Sequence, residues 1–167
     1  MKIGTFYKDD NYNNFKYTLN IGIIYGGGKV LHMIDRKAKA AELHSNRYTC
    51  SQAVACAFCD VVDVDEETMK AIVRKYSGGA YKVCGAVMGA YVIANFIKGN
   101  RNMEEPAKWN EDDIELLQEI EKRFKEKNST VMCRELKGIG TGKVLRPCRG
   151  CVEDAAEILE EILEERK

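Results

Sequence analysis

From residue 34 onward the apolar positions recur at spacings of three and four. Ile34, Ala38, Ala41 and Leu43 form one stripe, the signature of an amphipathic helix. Asn46 and Thr49 can cap a second helix, carried by Ala53, Val54, Ala55, Ala57 and Phe58 to about Val62. Asp65 is a good N-cap for a third, with Glu66 and Glu67 in its first turn and Gly78-Gly79 as its stop. Residues 83–97 are the most apolar stretch, closed by Gly99, and this helix is expected at the centre of the bundle with the others packed on it. Asn110 should cap a long charged helix whose inward stripe is Ile114, Leu117, Ile120 and Phe124 and which ends near Asn128. Ser129 or Thr130 then caps a short turn carrying Cys133, and Gly138, Gly140 and Gly142 mark a loop. A final helix is predicted from about Cys151 to Glu165, with Val152, Ala155, Ala156, Leu159, Ile162 and Leu163 inward. The pattern predicts an all-α fold: a single compact bundle of about five to seven helices.

Residues 1–32 carry no helical period. They hold a polar aromatic stretch (Phe6, Tyr7, Asn11, Tyr12, Asn13, Asn14), a short apolar patch at residues 21–25 and then Gly26-Gly27-Gly28. Two readings stand side by side. One is an N-terminal arm of the kind common at chain ends. The other is that the natural start is Met33, since three glycines shortly before a methionine are what a purine-rich ribosome-binding site would encode in frame. Either way, residues 33–167 form the helical, cysteine-bearing domain.

A chain of 167 residues with 45% hydrophobic content is long enough for one ordinary core. Lys plus Arg and Asp plus Glu number 26 each, so no overall field favours nucleic acid or an anionic surface. No stretch approaches the roughly 20 apolar residues of a membrane helix, so neither membrane insertion nor nucleic acid is expected. Seven cysteines, an odd number, with no recognisable secretory signal point to a reducing compartment and a cytoplasmic protein.

The cysteines are the candidate chemistry. Cys50, Cys84, Cys133 and Cys148 all fall at or near predicted helix starts. Unpaired N–H groups and about half a positive charge there stabilise a thiolate and lower its pKa. Four such thiols could ligate an iron-sulfur cluster or zinc, or serve as redox thiols in thiol/disulfide exchange. Free cysteine is also often plain core. Cys148 and Cys151 make a CxxC behind Pro147, and no histidine follows, which argues against covalent haem attachment. Cys56 and Cys59 make another CxxC, read as buried small-residue packing in mid-helix. His32 and His44, the two histidines, earn no ligand role, and too few bases accompany the thiols for a cysteine-protease arrangement. Gly142-Lys143 imitates part of a P-loop but lacks its ending and follows no strand. Gly85 and Gly89 lie one helical turn apart beside Ala86 and Ala90, a smooth face that lets another backbone approach and leaves N–H groups free for sulfur or a cofactor. A structural or adaptor protein, stabilised by zinc-thiolate ligation or by core packing alone, is the competing class.

Cys84-Gly85-Ala86-Val87-Met88-Gly89 resembles the CGAxxG segment of the C_GCAxxG_C_C family, which is marked by four cysteines and assigned a redox role. Tyr48 to Val54 is similar to that family's first cysteine segment, and Gly78-Gly79 to its glycine pair. Cys133-Arg134-Glu135-Leu136 resembles the third segment. Cys148, ahead of Val152-Glu153-Asp154-Ala155, resembles the fourth, with Cys151 its close competitor. The resemblance covers roughly residues 34–163. It implies redox-active cysteines and, from the frequent placement of members near transporter genes, a redox partner or a transporter-associated protein as partner. It implies no substrate.

Overall fold

The computed structural model describes residues 34–108 and 114–167. The proposals for residues 1–32 and the start at Met33, His32, and the Asn110 cap all lie outside the described residues. Within them the chain is helical throughout, in eight α-helical segments. These are α1 (Arg36–Ser45), α2 (Cys50–Ala57), α3 (Cys59–Val62), α4 (Glu66–Val73), α5 (Gly85–Ile97), α6 (Ile114–Asn128), α7 (Cys133–Leu136) and α8 (Cys148–Glu165), with a 3-10 turn at Arg74–Tyr76 after α4. Among the described residues the only β-type pairing is a single antiparallel bridge between Val83 and Met132.

Local sequence sets most of the boundaries. Asp35 accepts from the Ala38 amide at 2.8 Å and Asp65 from the Thr68 amide at 2.9 Å, so two acidic N-caps start α1 and α4. The Thr49 amide donates to Gln52 Oε1 at 3.0 Å at the start of α2. Helix α5 is the core element, every residue from Gly85 to Phe96 being buried. It packs on α2, α8 and α6, while α1 lies chiefly across α8 and α2. The central position of the most apolar stretch is as its pattern predicts. The expectation that each other helix packs on it is met in part, because α4 rests chiefly on α2.

Several expectations are not met: Ile34 and Ala38 of the predicted first stripe are exposed, with Ala40 and Ala41 buried instead, α4 gives way to the 3-10 turn after Val73 ahead of Gly78-Gly79, and Met132 is the N-cap of α7 in place of Ser129 or Thr130. Two further boundaries differ, and each has a tertiary cause. The helix expected from Thr49 to Val62 is broken at Phe58 (φ −116°, ψ 13°) into α2 and α3. Arg36 of α1 donates to the freed Ala57 carbonyl at 2.5 Å, pairs both oxygens of Asp60 at 2.6 and 2.8 Å, and lies 5.1 Å from the Phe58 ring centroid. This break, together with the four-residue α7, accounts for eight segments against the five to seven expected. The last helix begins at Cys148, one turn earlier than expected, with Pro147 as its N-cap. Proline is readily placed at a helix start, where no N–H is missed. Arg146 Nε pairs with Asp154, a carboxylate only 1% exposed, at 2.8 Å, and Lys127 reaches the same carboxylate at 3.0 Å from α6.

Candidate functional site

The first residues of α2, α7 and α8 are Cys50, Cys133 and Cys148, and Cys84 is the N-cap of α5. These helix starts meet at one end of the bundle, and all four cysteines, together with Cys151, line one cavity of about 400 Å3. Cys84, Cys133 and Cys151 are buried, whereas Cys50 and Cys148 are half-buried.

Backbone contacts fix this convergence. The Cys84 amide donates to Val131 O at 2.7 Å and the Cys133 amide to Lys82 O at 2.8 Å, which ties the entries of α5 and α7 together around the Val83–Met132 bridge. Side chains alternate across an extended pair. Val83 and Met132 accordingly line a separate, tyrosine-rich cavity while Cys84 and Cys133 line the thiol cavity. Gly79, at φ +79°, provides room for Cys133, since a Cβ there would stand 3.2 Å from its Sγ. The predicted small-residue face of α5 lies against α2 and the Tyr76-Ser77 backbone. A Cβ at Gly89 would meet Ser51 O at 2.6 Å, and one at Gly85 would meet Tyr76 O at 3.2 Å and Cys50 Cβ at 3.3 Å.

The cavity thiols influence one another's ionisation in pairs, while the Cys151 thiol itself donates to Arg146 O at 3.8 Å. Cys84 pairs with Cys151, and Cys50 with Cys148. Cys151, reinforced by the Ala86 and Val87 amides at the start of α5, pulls the Cys84 thiol down to about 7. Cys151 is pushed well up, first by Cys84 and then by burial. Burial, followed by the charge of Cys148 and Cys84, lifts Cys50 to about 12, and burial also raises Cys133. At Cys84 the helix-start amides therefore add to the larger effect of Cys151. At Cys50 and Cys133 the loss of solvent outweighs the helix field.

Basic side chains also line the cavity, Arg146 among them. Lys137 is held protonated above its ordinary range by the surrounding sulfurs, Cys148 and Cys133 first, and in turn favours the thiolates of Cys50, Cys84 and Cys133. His44 Nε2 lies 3.9 Å from Cys50 Sγ, with its pKa lowered by burial and then by Arg149. Sequence reasoning left both out. A basic residue one helical turn after Cys133 was the available signal for Lys137. Cys148 and Cys151, read as competitors for one place, both belong to the cavity because α8 starts at Cys148 and puts them one turn apart on one face.

The fit to a metal is poor in this arrangement. Among the described residues, no group of three or more His, Cys, Asp or Glu side chains is disposed to hold a metal ion. The donors face one another as thiol pairs instead.

Cys56 and Cys59 lie near the other end of α2, away from this cavity. Cys56 is buried as expected, but Cys59 is only half-buried, because the break at Phe58 makes it the first residue of α3.

No helix among the described residues is long and apolar enough to cross a membrane. Comparison with curated proteins and with solved structures gives no match. The comparison with family models does: residues 48–162, from just before Cys50 to the inner face of α8, match the family described as putative redox-active protein (C_GCAxxG_C_C). With the match spanning more than half its length and all five cavity thiols, this chain belongs to the C_GCAxxG_C_C family.

Proposed function

We propose that the protein is a dithiol redox protein of a reducing, cytoplasmic compartment, in which Cys84 is the attacking thiol and Cys151 resolves. The carrying observation is the single cavity that brings buried Cys84 and Cys151 together at the start of α5 and α8, with Cys151 the first influence holding the Cys84 thiol near neutrality at about 7. A thiol whose pKa lies near ambient pH combines a useful thiolate fraction with retained nucleophilicity. Thiolate Cys84 attacks a disulfide RSSR, forms a Cys84–SR mixed disulfide and releases RS−, which takes up a proton. Cys151 then loses its proton and attacks Cys84 Sγ, giving the Cys84–Cys151 disulfide and a second thiol. Two electrons pass from the protein to RSSR, and the reverse sequence reduces the protein. Cys50 and Cys148, paired at the rim, can exchange with the inner pair and offer the outlet to a redox partner. Lys137 moderates the negative charge of the site throughout.

A metal-thiolate reading with Cys50, Cys84, Cys133 and Cys148 as iron-sulfur or zinc ligands draws support from their common cavity, and less from their pairing. The adaptor reading has no geometric support of its own. The test is to oxidise the reduced protein with less than one equivalent of a small disulfide, alkylate the remaining thiols and map the first bond by peptide mass spectrometry. Cys84–Cys151 is the expected product. A first bond between Cys148 and Cys151, or an anaerobically purified protein carrying stoichiometric iron or zinc, would replace the proposal.

A further inference from the structure

The second CxxC, Cys56-Ala57-Phe58-Cys59, is built differently from a packed core pair. The chain leaves the helix at Phe58, so Cys56 closes α2 from within while Cys59 opens α3. Their thiols are near enough to shift each other's ionisation in opposite directions, and Cys59 Sγ also lies 4.0 Å from Ala55 O. One is accessible and the other is not: Cys59 is half-buried, whereas Cys56 is 1% exposed, its thiol 3.9 Å from Glu66 O. The break itself is braced from outside by Arg36, which holds Ala57 O and Asp60 on either side of Phe58 and Cys59. Lys39 contributes positive charge near Cys59.

We infer that Cys56 and Cys59 form a second, separate redox dithiol, in which half-buried Cys59 exchanges with small disulfides of the glutathione type and buried Cys56 closes the bond. An accessible attacking thiol ahead of a sheltered resolving one is the division of labour this chemistry needs. Cys56 lowers the Cys59 pKa, with Lys39 acting in the same sense, and Cys59 raises that of Cys56. In the reaction, thiolate Cys59 attacks glutathione disulfide and forms a Cys59–glutathione mixed disulfide, releasing one glutathione thiol. Cys56 then gives up its proton and attacks Cys59 Sγ, releasing the second. The protein loses two hydrogens and the disulfide gains them. The two dithiols lie at opposite ends of α2: with a rise of about 1.5 Å per residue, Cys56 is displaced by roughly 9 Å along the axis from Cys50.

The experiment uses full-length reduced protein incubated with oxidised glutathione, followed by alkylation and peptide mass spectrometry of the segment containing Cys56 and Cys59. Wild type should lose both thiols of that segment to an internal disulfide, two hydrogens lighter and unalkylated at both positions. Cys56→Ala should instead accumulate glutathione on Cys59, and Cys59→Ala should leave Cys56 free. All three results should persist in Cys84→Ser, which disables the proposed main site and so separates the two ideas. Alkylation of Cys56 and Cys59 to the same extent with and without glutathione disulfide would overturn the inference. So would a glutathione adduct on Cys56 in Cys59→Ala equal to that on Cys59 in Cys56→Ala.

Discussion

Replacing Gly89 with alanine tests how the α2–α5 crossing holds the cysteine site. In an unencumbered helix the change favours folding by about 1 kcal/mol, because alanine has the higher helix propensity. Here the added Cβ would fall 2.6 Å from Ser51 O, 3.2 Å from Ser51 Cα and 3.2 Å from Val54 Cβ. The first two are backbone atoms and cannot rotate aside, so α2 must move. Overpacking typically costs about 1–3 kcal/mol, and a clash with backbone belongs at the upper end. Subtracting the propensity gain leaves a net destabilisation of roughly 2 kcal/mol, a fall in melting temperature of about 4–8 °C for a domain of this size. Gly85→Ala is the internal control. Its nearest contacts, at 3.2–3.3 Å, require a few tenths of an ångström of give, so cost and propensity gain nearly cancel. Thermal melting followed by far-UV circular dichroism on the reduced protein measures both. Because Ser51 follows Cys50, the Gly89 variant should also change the alkylation rate of Cys50. Melting of Gly89→Ala at or above wild type, or an equal fall in Gly85→Ala, would refute the packing argument.

Other outcomes follow from the electrostatics and the buried ion pairs. The alkylation rate of Cys84 should rise with pH through a midpoint near 7, and in Cys151→Ala the midpoint should move up, because the main cause lowering the pKa is gone; an unmoved midpoint counts against the pairing. Lys137→Met should shift that midpoint in the same direction but less, since the lysine is the last of the groups lowering it, and added salt should shrink the difference from wild type. The sign of the linkage is fixed as well. A Cys84 pKa of about 7 in the fold, below the ordinary thiol value of 9.0, stabilises the protein fully above pH 9, and that contribution disappears as pH falls through 7, so urea titrations of Cys84→Ala should show less gain in stability between these limits than wild type. Asp154→Asn should lower the urea-unfolding free energy by about 2–3 kcal/mol, because it leaves Arg146 and Lys127 without the buried carboxylate they share.

The helices, and the placement of Cys50, Cys84, Cys133 and Cys148 at helix starts, were legible in the sequence because both are written locally in apolar spacing and in caps such as Asp65. What escaped is written in contacts between distant residues. The break at Phe58 is made by Arg36, twenty-four positions from Asp60, and nothing in the local Ala-Cys-Ala-Phe-Cys run announces it. The earlier start of α8 accompanies the Arg146–Asp154 pair, so Cys151 joined the site instead of competing for it. The thiol pKa order escaped for a third reason. A helix start is visible in sequence, but the burial that overrides it at Cys50 and Cys133 exists only once the bundle has closed.

The assembly of the cavity from the entries of α2, α5, α7 and α8 also sets an order of events during synthesis. Cys84 emerges from the ribosome well before Cys151, and its partner thiol is absent until the start of α8 has been made. Cys56 and Cys59, or Cys148 and Cys151, need only a short loop to meet, and closing a longer loop costs more chain entropy. An oxidant that reaches the nascent chain would thus trap near neighbours, whereas one that arrives after α8 has docked finds Cys151 already held against Cys84. Reduced folding followed by oxidation preserves the native partners, so this architecture ties correct thiol pairing to the synthesis and docking of α8.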